Sequence, residues 1–258
     1  MSVSIANRKR TKAVANKLAH LAAFADRRRD PDSKKEAVLL TAVQLFIEKG
    51  YRQTSLDDVA EKLKITKPAL YYYFRNKEEI YLECYRRGIA LTQQSLERIR
   101  CHAGSGLEKV AGFIQTYTLI VAGDFGRFLV RQDDRELSPK AQAEVRGEKR
   151  KIDQSLRAFL EQGVADGSVR PCNIKLAAFS LAGAIHSLAT WFEPGGELTA
   201  AQVAAEFAQT LTQGLANRRS SKLRIPDFKP IQIPPKLSYG DCGVNLAKKN
   251  FSHDRRNT

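Results

Sequence analysis

The 258-residue chain is predicted to be all-α, with an N-terminal three-helix head containing a helix-turn-helix and a C-terminal helical body. Three observations predict the fold. Apolar residues recur at i, i+3, i+4 and i+7 in one segment after another. Ser, Thr, Asp or Asn stands ahead of these segments, and glycine or a turn follows them. Two of the segments are short and separated by only a few residues, as in a helix-turn-helix. A chain of this length buries a sizeable core as one large domain or two modest ones.

The pattern divides the chain into a basic extension (1–31), the head (32–80), the body (81–218) and a basic, proline-containing tail (219–258). In the extension Val14, Leu18, Leu21, Ala22 and Ala25 form an apolar stripe on a basic helix that ends at Arg27, Arg28 and Arg29. Two readings stay open there: a docked helix, or a flexible arm whose arginines enter a minor groove.

In the head, Ala37, Leu40, Thr41, Ala42, Leu45 and Phe46 give the first helix its inner face, with Asp32 or Ser33 as N-cap and Gly50 just past its end. Thr54 then caps a second helix in a box-like arrangement with Asp57. Leu56, Val59, Ala60 and Leu63 are its apolar face, and Lys64 and Ile65 make a tight turn. Thr66 opens the third helix, Pro68 sits in its first turn, and the run continues through Phe74. Leu70 and Phe74, four apart, supply the inward side, so Tyr71, Tyr72 and Tyr73 cannot all be buried. Asn76 and Glu79 start a fourth helix.

The second helix of such a pair enters the major groove of DNA. Thr66, Lys67, Pro68, Ala69, Tyr71, Tyr72 and Tyr73 lie on that helix. Phosphate contacts are expected from Thr54, Ser55, Tyr73 and Lys77, and base or thymine-methyl contacts from Thr66, Lys67 and Tyr72.

The run from Phe46 through Gly50-Tyr51, Thr54-Ser55-Leu56 and Val59-Ala60, then Ile65-Thr66-Lys67-Pro68-Ala69-Leu70-Tyr71-Tyr72-Tyr73-Phe74-Arg75-Asn76-Lys77-Glu78-Glu79-Ile80, resembles the DNA-binding domain of the TetR family of transcriptional regulators. It departs at Tyr73, where the family commonly has His; a phenol can make a similar phosphate contact. The resemblance implies an all-helical homodimer on a palindromic operator of double-stranded DNA, usually a repressor until a small molecule enters the body.

In the body the fourth helix runs through Leu82, Tyr85, Ile89 and Leu96 to near Ile99, and the resemblance makes it the link from body to head. Leu107, Val110, Ala111, Ile114, Tyr117, Thr118 and Val121 give the next helix, ended by Gly123, and a short irregular piece follows. Ser138 and Pro139 open a long helix with Ile152, Leu156, Phe159 and Leu160 inward. Residues 176–192 are apolar nearly all round and predict a buried helix, too short to span a membrane. The last helix starts at Thr199. Leu181, Leu188, Val203, Phe207, Leu211 and Leu215 are the expected dimer interface, in an intersubunit four-helix bundle.

The segment Trp191-Phe192-x-Pro194-Gly195-Gly196-x-Leu198-Thr199 resembles the C-terminal domain of regulators of fatty-acid, steroid and aromatic-acid breakdown, which implies an acyl-coenzyme A thioester as effector. Candidate pocket residues are Tyr117, Phe128, Arg131, Arg146, Arg150, His186 and Trp191. Arg146, Lys149 and Arg150 share one helical face and suit phosphates, against the plainer reading of a face paired with Glu144 and Glu148. Arg131 is equally placed for a salt bridge with Asp133 or Asp134, and His186 for a satisfied core position.

Composition narrows the alternatives. Lys and Arg number 43 against 28 Asp and Glu, a formal charge of +15. Residues 1–31 hold eight basic and two acidic groups and residues 219–258 nine and three, so most of the excess lies at the ends. Such arms favour a polyanion, nucleic acid before an anionic membrane surface, or only keep the chain soluble. No run reaches the ~20 apolar residues of a membrane span, and no secretory signal is visible, so no membrane partner is expected. Cys84, Cys101, Cys172 and Cys242 are scattered without a Cys-x-x-Cys, which predicts a reducing cytoplasm and no metal site. Phosphate-loop, nucleophile-elbow and zinc-protease motifs are absent, so no catalytic residue or cofactor is assigned and an enzyme is not expected. An activator of the same fold, a repressor answering a hydrophobic drug-like or aromatic effector, and a basic-tailed membrane-surface protein are the competing readings.

Overall fold

The computed structural model describes residues 31–135 and 137–215, so the basic extension and tail of the sequence reading lie outside the described residues. Within them the chain forms nine helices: α1 (Pro31–Lys49), α2 (Leu56–Leu63), α3 (Lys67–Tyr71), α4 (Lys77–Cys101), α5 (Gly106–Ala122), α6 (Asp124–Arg131), α7 (Pro139–Ala165), α8 (Ile174–Trp191) and α9 (Ala200–Gln213).

The head is α1 to α3 packed on the start of α4. Val38, Leu39, Ala42, Val43 and Phe46 of α1 close against Val59, Ala60 and Leu63 of α2 and Leu70 of α3, all buried. The N-cap of α2 is Ser55, one residue beyond the expected Thr54, and its capping box is closed by Asp58. The Ser55 hydroxyl accepts from the Asp58 N–H at 3.1 Å, and the Ser55 N–H donates to the Asp58 carboxylate at 2.7 Å. A hydrogen bond from Lys49, with the Ser55 donors, holds the Asp58 carboxyl well below the usual carboxylate range. α3 is shorter than expected: regular helix stops at Tyr71, and residues 72–73 form a turn.

In the body α5 is the hub, packed on α4, α6, α7, α8 and α9. Residues on all sides of it are buried, from Leu107 to Val121. It crosses α7 where Gly106 meets Gly163 backbone to backbone, leaving no room for a Cβ on Gly106. Residues 124–131, expected to be irregular, form the amphipathic helix α6, whose Phe125, Phe128 and Leu129 are buried. α6 joins head to body: the Phe128 ring lies 5.7 Å from Phe46 of α1 and 4.8 Å from Tyr81 of α4. The Gln132 side chain also donates to the Phe46 carbonyl at 3.1 Å.

α7 is stapled to α4. Arg86 donates two hydrogen bonds to Glu144, at 2.8 and 3.1 Å, Gln93 donates to Glu148 at 2.6 Å, and the Tyr85 hydroxyl donates to the Val145 carbonyl at 3.1 Å.

α8 is buried on one side only, through Ala178, Leu181, Ile185, Leu188 and Ala189. Leu176, Phe179 and Trp191 are exposed on its other side. The expected interface is also corrected. Leu181, Leu188, Val203 and Leu215 are buried in their own protomer, and Phe207 and Leu211 are half-buried against its core. The stripe of α9 packs on α5, so the face left for a partner is the other one. Among the described residues no helix is long and apolar enough to cross a membrane, no cluster suits a metal ion, and Cys84, Cys101 and Cys172 are free thiols.

Candidate nucleic-acid interface

α3 presents a small polar and aromatic surface. Thr66 is its N-cap with no side-chain cap bond, and Thr66, Lys67 and Pro68 are exposed. Ala69 is half-buried and Leu70 fully buried, so the inward side is the one the spacing predicts. Tyr72 is 80% exposed and Tyr71 46%, whereas Tyr73 is half-buried with its ring edge-on to Tyr72 at 5.1 Å. Burial pushes the Tyr73 phenol pKa up, so it remains a neutral hydrogen-bonding group.

Two residues expected at phosphate serve the fold. Thr54 is 1% exposed, and its hydroxyl lies 2.8 Å from the Gly50 carbonyl and 3.3 Å from that of Leu45, donating to this pair of acceptors. The Lys77 ammonium donates to the carbonyls of Tyr51 and Thr54 at 2.9 Å and of Arg52 at 3.3 Å, and it sits 4.3 Å from the centre of the Tyr51 ring. Lys77 therefore clasps the turn after α1 to the start of α4. Ser55 is exposed at the opening of α2, its hydroxyl donating to Asp58. Lys67 pairs with Asp57 at 3.0 Å. Arg52, Gln53 and Arg75, which the sequence pattern did not single out, are also exposed on the head. Their signal was only composition, a basic or amide side chain beside a turn.

Lys64 ends α2 in the left-handed conformation, at φ 55° and ψ 42°, which costs an L-residue roughly 1 to 2 kcal/mol. Lys64→Gly is expected to stabilise the protein by about 0.5 to 1 kcal/mol, read as a higher urea midpoint at unchanged slope. A lower midpoint would mean that the lysine stem makes a contact outweighing the strain.

The pocket candidates scatter. Tyr117 is buried, with its hydroxyl 3.3 Å from His186 Nε2. Desolvation first, and then the Lys149 charge, pushes the His186 pKa down, so the ring is neutral at neutral pH. The Lys149 ammonium lies 5.9 Å from the centre of the Tyr85 ring, and desolvation lowers its pKa. Tyr85, Tyr117, Lys149 and His186 thus bring α4, α5, α7 and α8 together around polar groups. Phe128 is in the head–body joint, and Arg131 and Arg150 are exposed. Arg146 pairs with Asp134 at 2.8 Å, while Asp133 pairs with Arg135, so neither expected partner goes to Arg131. Trp191 is exposed beside Phe192 and Phe207.

A helix-turn-helix with an exposed reading helix, joined through a buried aromatic contact to an all-helical body, defines a DNA-binding transcriptional regulator. Residues 38–84 match the family model for bacterial regulatory proteins of the tetR family, and residues 103–215 match the tetracyclin repressor-like C-terminal domain. The chain belongs to the TetR family. It is 26% identical over 195 residues to the HTH-type transcriptional repressor KstR2 of Mycolicibacterium smegmatis, covering 74% of this chain and 95% of the relative. It is 22% identical over 188 residues to the fatty acid metabolism regulator protein of Bacillus subtilis, covering 70% and 95%. It shares its fold with AibR, solved in complex with isovaleryl coenzyme A and operator DNA, at a TM-score of 0.62 and 24% identity over 71% of this chain and 98% of that one.

Proposed function

We propose that the protein is a homodimeric repressor that leaves a palindromic operator when an acyl-coenzyme A thioester enters the body. The observation that carries this reading is the joint at Phe128, which packs the head's α1 and the start of α4 onto α6 of the body. A ligand that shifts α6 or α4 relative to α5 moves the head with it. Two heads must meet half-sites about 34 to 36 Å apart, or a multiple of that spacing. A small change in their separation prevents both from seating, and a few kcal/mol of differential affinity is enough for release.

The thioester is supported by the resemblance of residues 191–199, by the likeness to a fatty acid metabolism regulator, and by a fold that in AibR holds isovaleryl coenzyme A and operator DNA together. Within the body, Lys149, Tyr117 and His186 offer an ammonium and hydrogen-bonding groups to the polar part of such a molecule. Dimerisation is assigned to the open face of α8, with Leu176, Phe179 and Trp191, alongside α9.

The test is a fluorescence titration of the protein against DNA from its own upstream region and a scrambled duplex, with and without a panel of acyl-coenzyme A thioesters. Selective binding relieved by one thioester is the expected result. Selective binding that none relieves would discard this effector class, and equal binding to both duplexes would discard the operator. In the same assay Tyr72→Ala is expected to weaken operator binding by ~1 to 3 kcal/mol; unchanged affinity would remove Tyr72 from the reading face.

A further inference from the structure

Outside the aromatic joint at Phe128, two polar ties join the head to the body. Gln132, the C-cap of α6, donates from its side chain to the Phe46 carbonyl in the last turn of α1 at 3.1 Å. Ser138, the N-cap of α7, donates to the carboxylate of Glu78 in the first turn of α4 through both its N–H and its hydroxyl, each at 2.8 Å. Both ties are anchored on the body side. Gln132 follows a helix whose Phe125, Phe128 and Leu129 are buried, and the Ser138 hydroxyl also accepts from the Ala141 N–H at 3.4 Å.

Further along, α4 crosses α6 at Gly88, where an added Cβ would come within 2.9 Å of the Phe125 carbonyl oxygen. The two backbones touch with no side chain between them to yield, so Gly88 is the pivot of α4. Glu78 stands about 15 Å nearer the reading helix, at 1.5 Å of rise per residue. We propose that Glu78 and Gln132 are positioning residues that fix the tilt of each head on its body, and thereby the half-site spacing that the dimer accepts. The proposal rests on the reading above of two heads on one palindromic operator.

The physical argument is one of leverage. Apolar packing is non-directional and tolerates a small tilt, whereas a hydrogen bond has only about 0.5 Å of slack before it is lost. One base pair added between the half-sites moves them about 3.4 Å apart and turns one relative to the other by about 35°. Shared between two heads, that is about 1.7 Å each, more than either tie can stretch. A head held by both ties cannot follow its half-site without breaking them. A head without them swings about Gly88 and Phe128. Arg86 supplies the contrast: it holds Glu144 through two hydrogen bonds, at 2.8 and 3.1 Å, but lies within one turn of the pivot, where tilt displaces it little. The competing assignment is that the ties only stabilise the fold, which predicts equal weakening on every spacing.

The test compares full-length wild type, Glu78→Met, Gln132→Met, the double variant and Arg86→Gln. Methionine keeps the reach of each side chain while removing the acceptor or the donor. Affinity is measured for the tightest palindromic duplex selected from a random pool, and for the same duplex with one base pair inserted or deleted at its centre. The wild type is expected to lose about a hundredfold on either shift, because one head disengages. Each methionine variant should cut that penalty about threefold and the double variant about tenfold, with a loss below about fivefold on the unshifted duplex from poorer preorganisation. The change of charge at position 78 acts on all three duplexes alike and cancels in the ratio. Arg86→Gln should keep the wild-type penalty. An unchanged penalty in the double variant would overturn the proposal. So would an equal drop in Arg86→Gln, which would make tilt a property of the whole contact between α4 and α7. A wild type indifferent to the shift would overturn the two-headed reading and this proposal with it, a failure visible before any variant is measured.

Discussion

Phe179→Glu is expected to give a folded monomer that binds its operator about two to three orders of magnitude more weakly than the wild type. Phe179 is 52% exposed on the open face of α8, so the change removes little from the protomer core. The new carboxylate would lie near Arg157 and Lys175, whose cations already sit 5.4 and 5.9 Å from the Phe179 ring centre, so a lone chain tolerates it. Two copies pressed together on that face would instead bury one carboxylate each, a large cost for a group desolvated in an apolar contact. Loss of the dimer uncouples the half-sites: the second head no longer binds at the high effective concentration set by the first. Light scattering and operator titration on one preparation check both parts. A surviving dimer would move the interface away from α8, and full affinity from a monomer would remove the need for two heads.

Phe128→Ala is expected to destabilise the protein by about 3 to 5 kcal/mol, read by urea unfolding. Phe128 is fully buried, and its ring fills the junction between Phe46, Tyr81 and α6. Truncation leaves a cavity between head and body that helices anchored at both ends cannot collapse to fill. The milder Phe128→Leu keeps most of the volume, so it is the variant for function. It should retain operator binding while weakening the response to effector, because the contact transmitting motion from α6 to α1 and α4 is looser. A cost below about 1 kcal/mol for Phe128→Ala would show that head and body are not packed through this ring.

Much of the head was legible because local rules act there in concert. Leu70 and Phe74 are four apart and both are buried, which forced Tyr71 and Tyr72 outward. Asn76 caps α4 as its side-chain type predicts, its Oδ1 accepting from the Glu79 N–H at 2.8 Å. The cap of α2 was misplaced by one residue because Thr54…Asp57 and Ser55…Asp58 have the same spacing, and sequence cannot choose between them. The fold chooses: Thr54 is drawn inward to the carbonyls of Gly50 and Leu45, which leaves Ser55 at the helix start. Lys77 was misread for a related reason. A lysine beside a reading helix suggests phosphate, and the carbonyls it binds lie 23 to 26 residues earlier in the chain.

The body shows the same limit on a larger scale. Periodicity located the stripes of α8 and α9 but not what each stripe meets. Val203 and Leu215 contribute to the protomer core, and α9 packs on α5, so a stripe suited to a partner molecule was already covered by the same chain. Arg146, Lys149 and Arg150 share a helical face and are all exposed, yet Arg146 turns to Asp134 and Lys149 lies over the Tyr85 ring. Residues 124–131 lack a capping side chain at Gly123, so α6 gave little local signal despite its three buried apolar residues.

What the sequence determined by itself was the helical class, most helix starts and the inward side of α3, because caps, proline position and apolar period act over one to three turns. Only the tertiary structure decided which polar groups face DNA, which are clasps, and which face of α8 stays open. Those outcomes depend on backbone and side chains far apart in sequence coming together, and local periodicity carries no information about what lies across the gap.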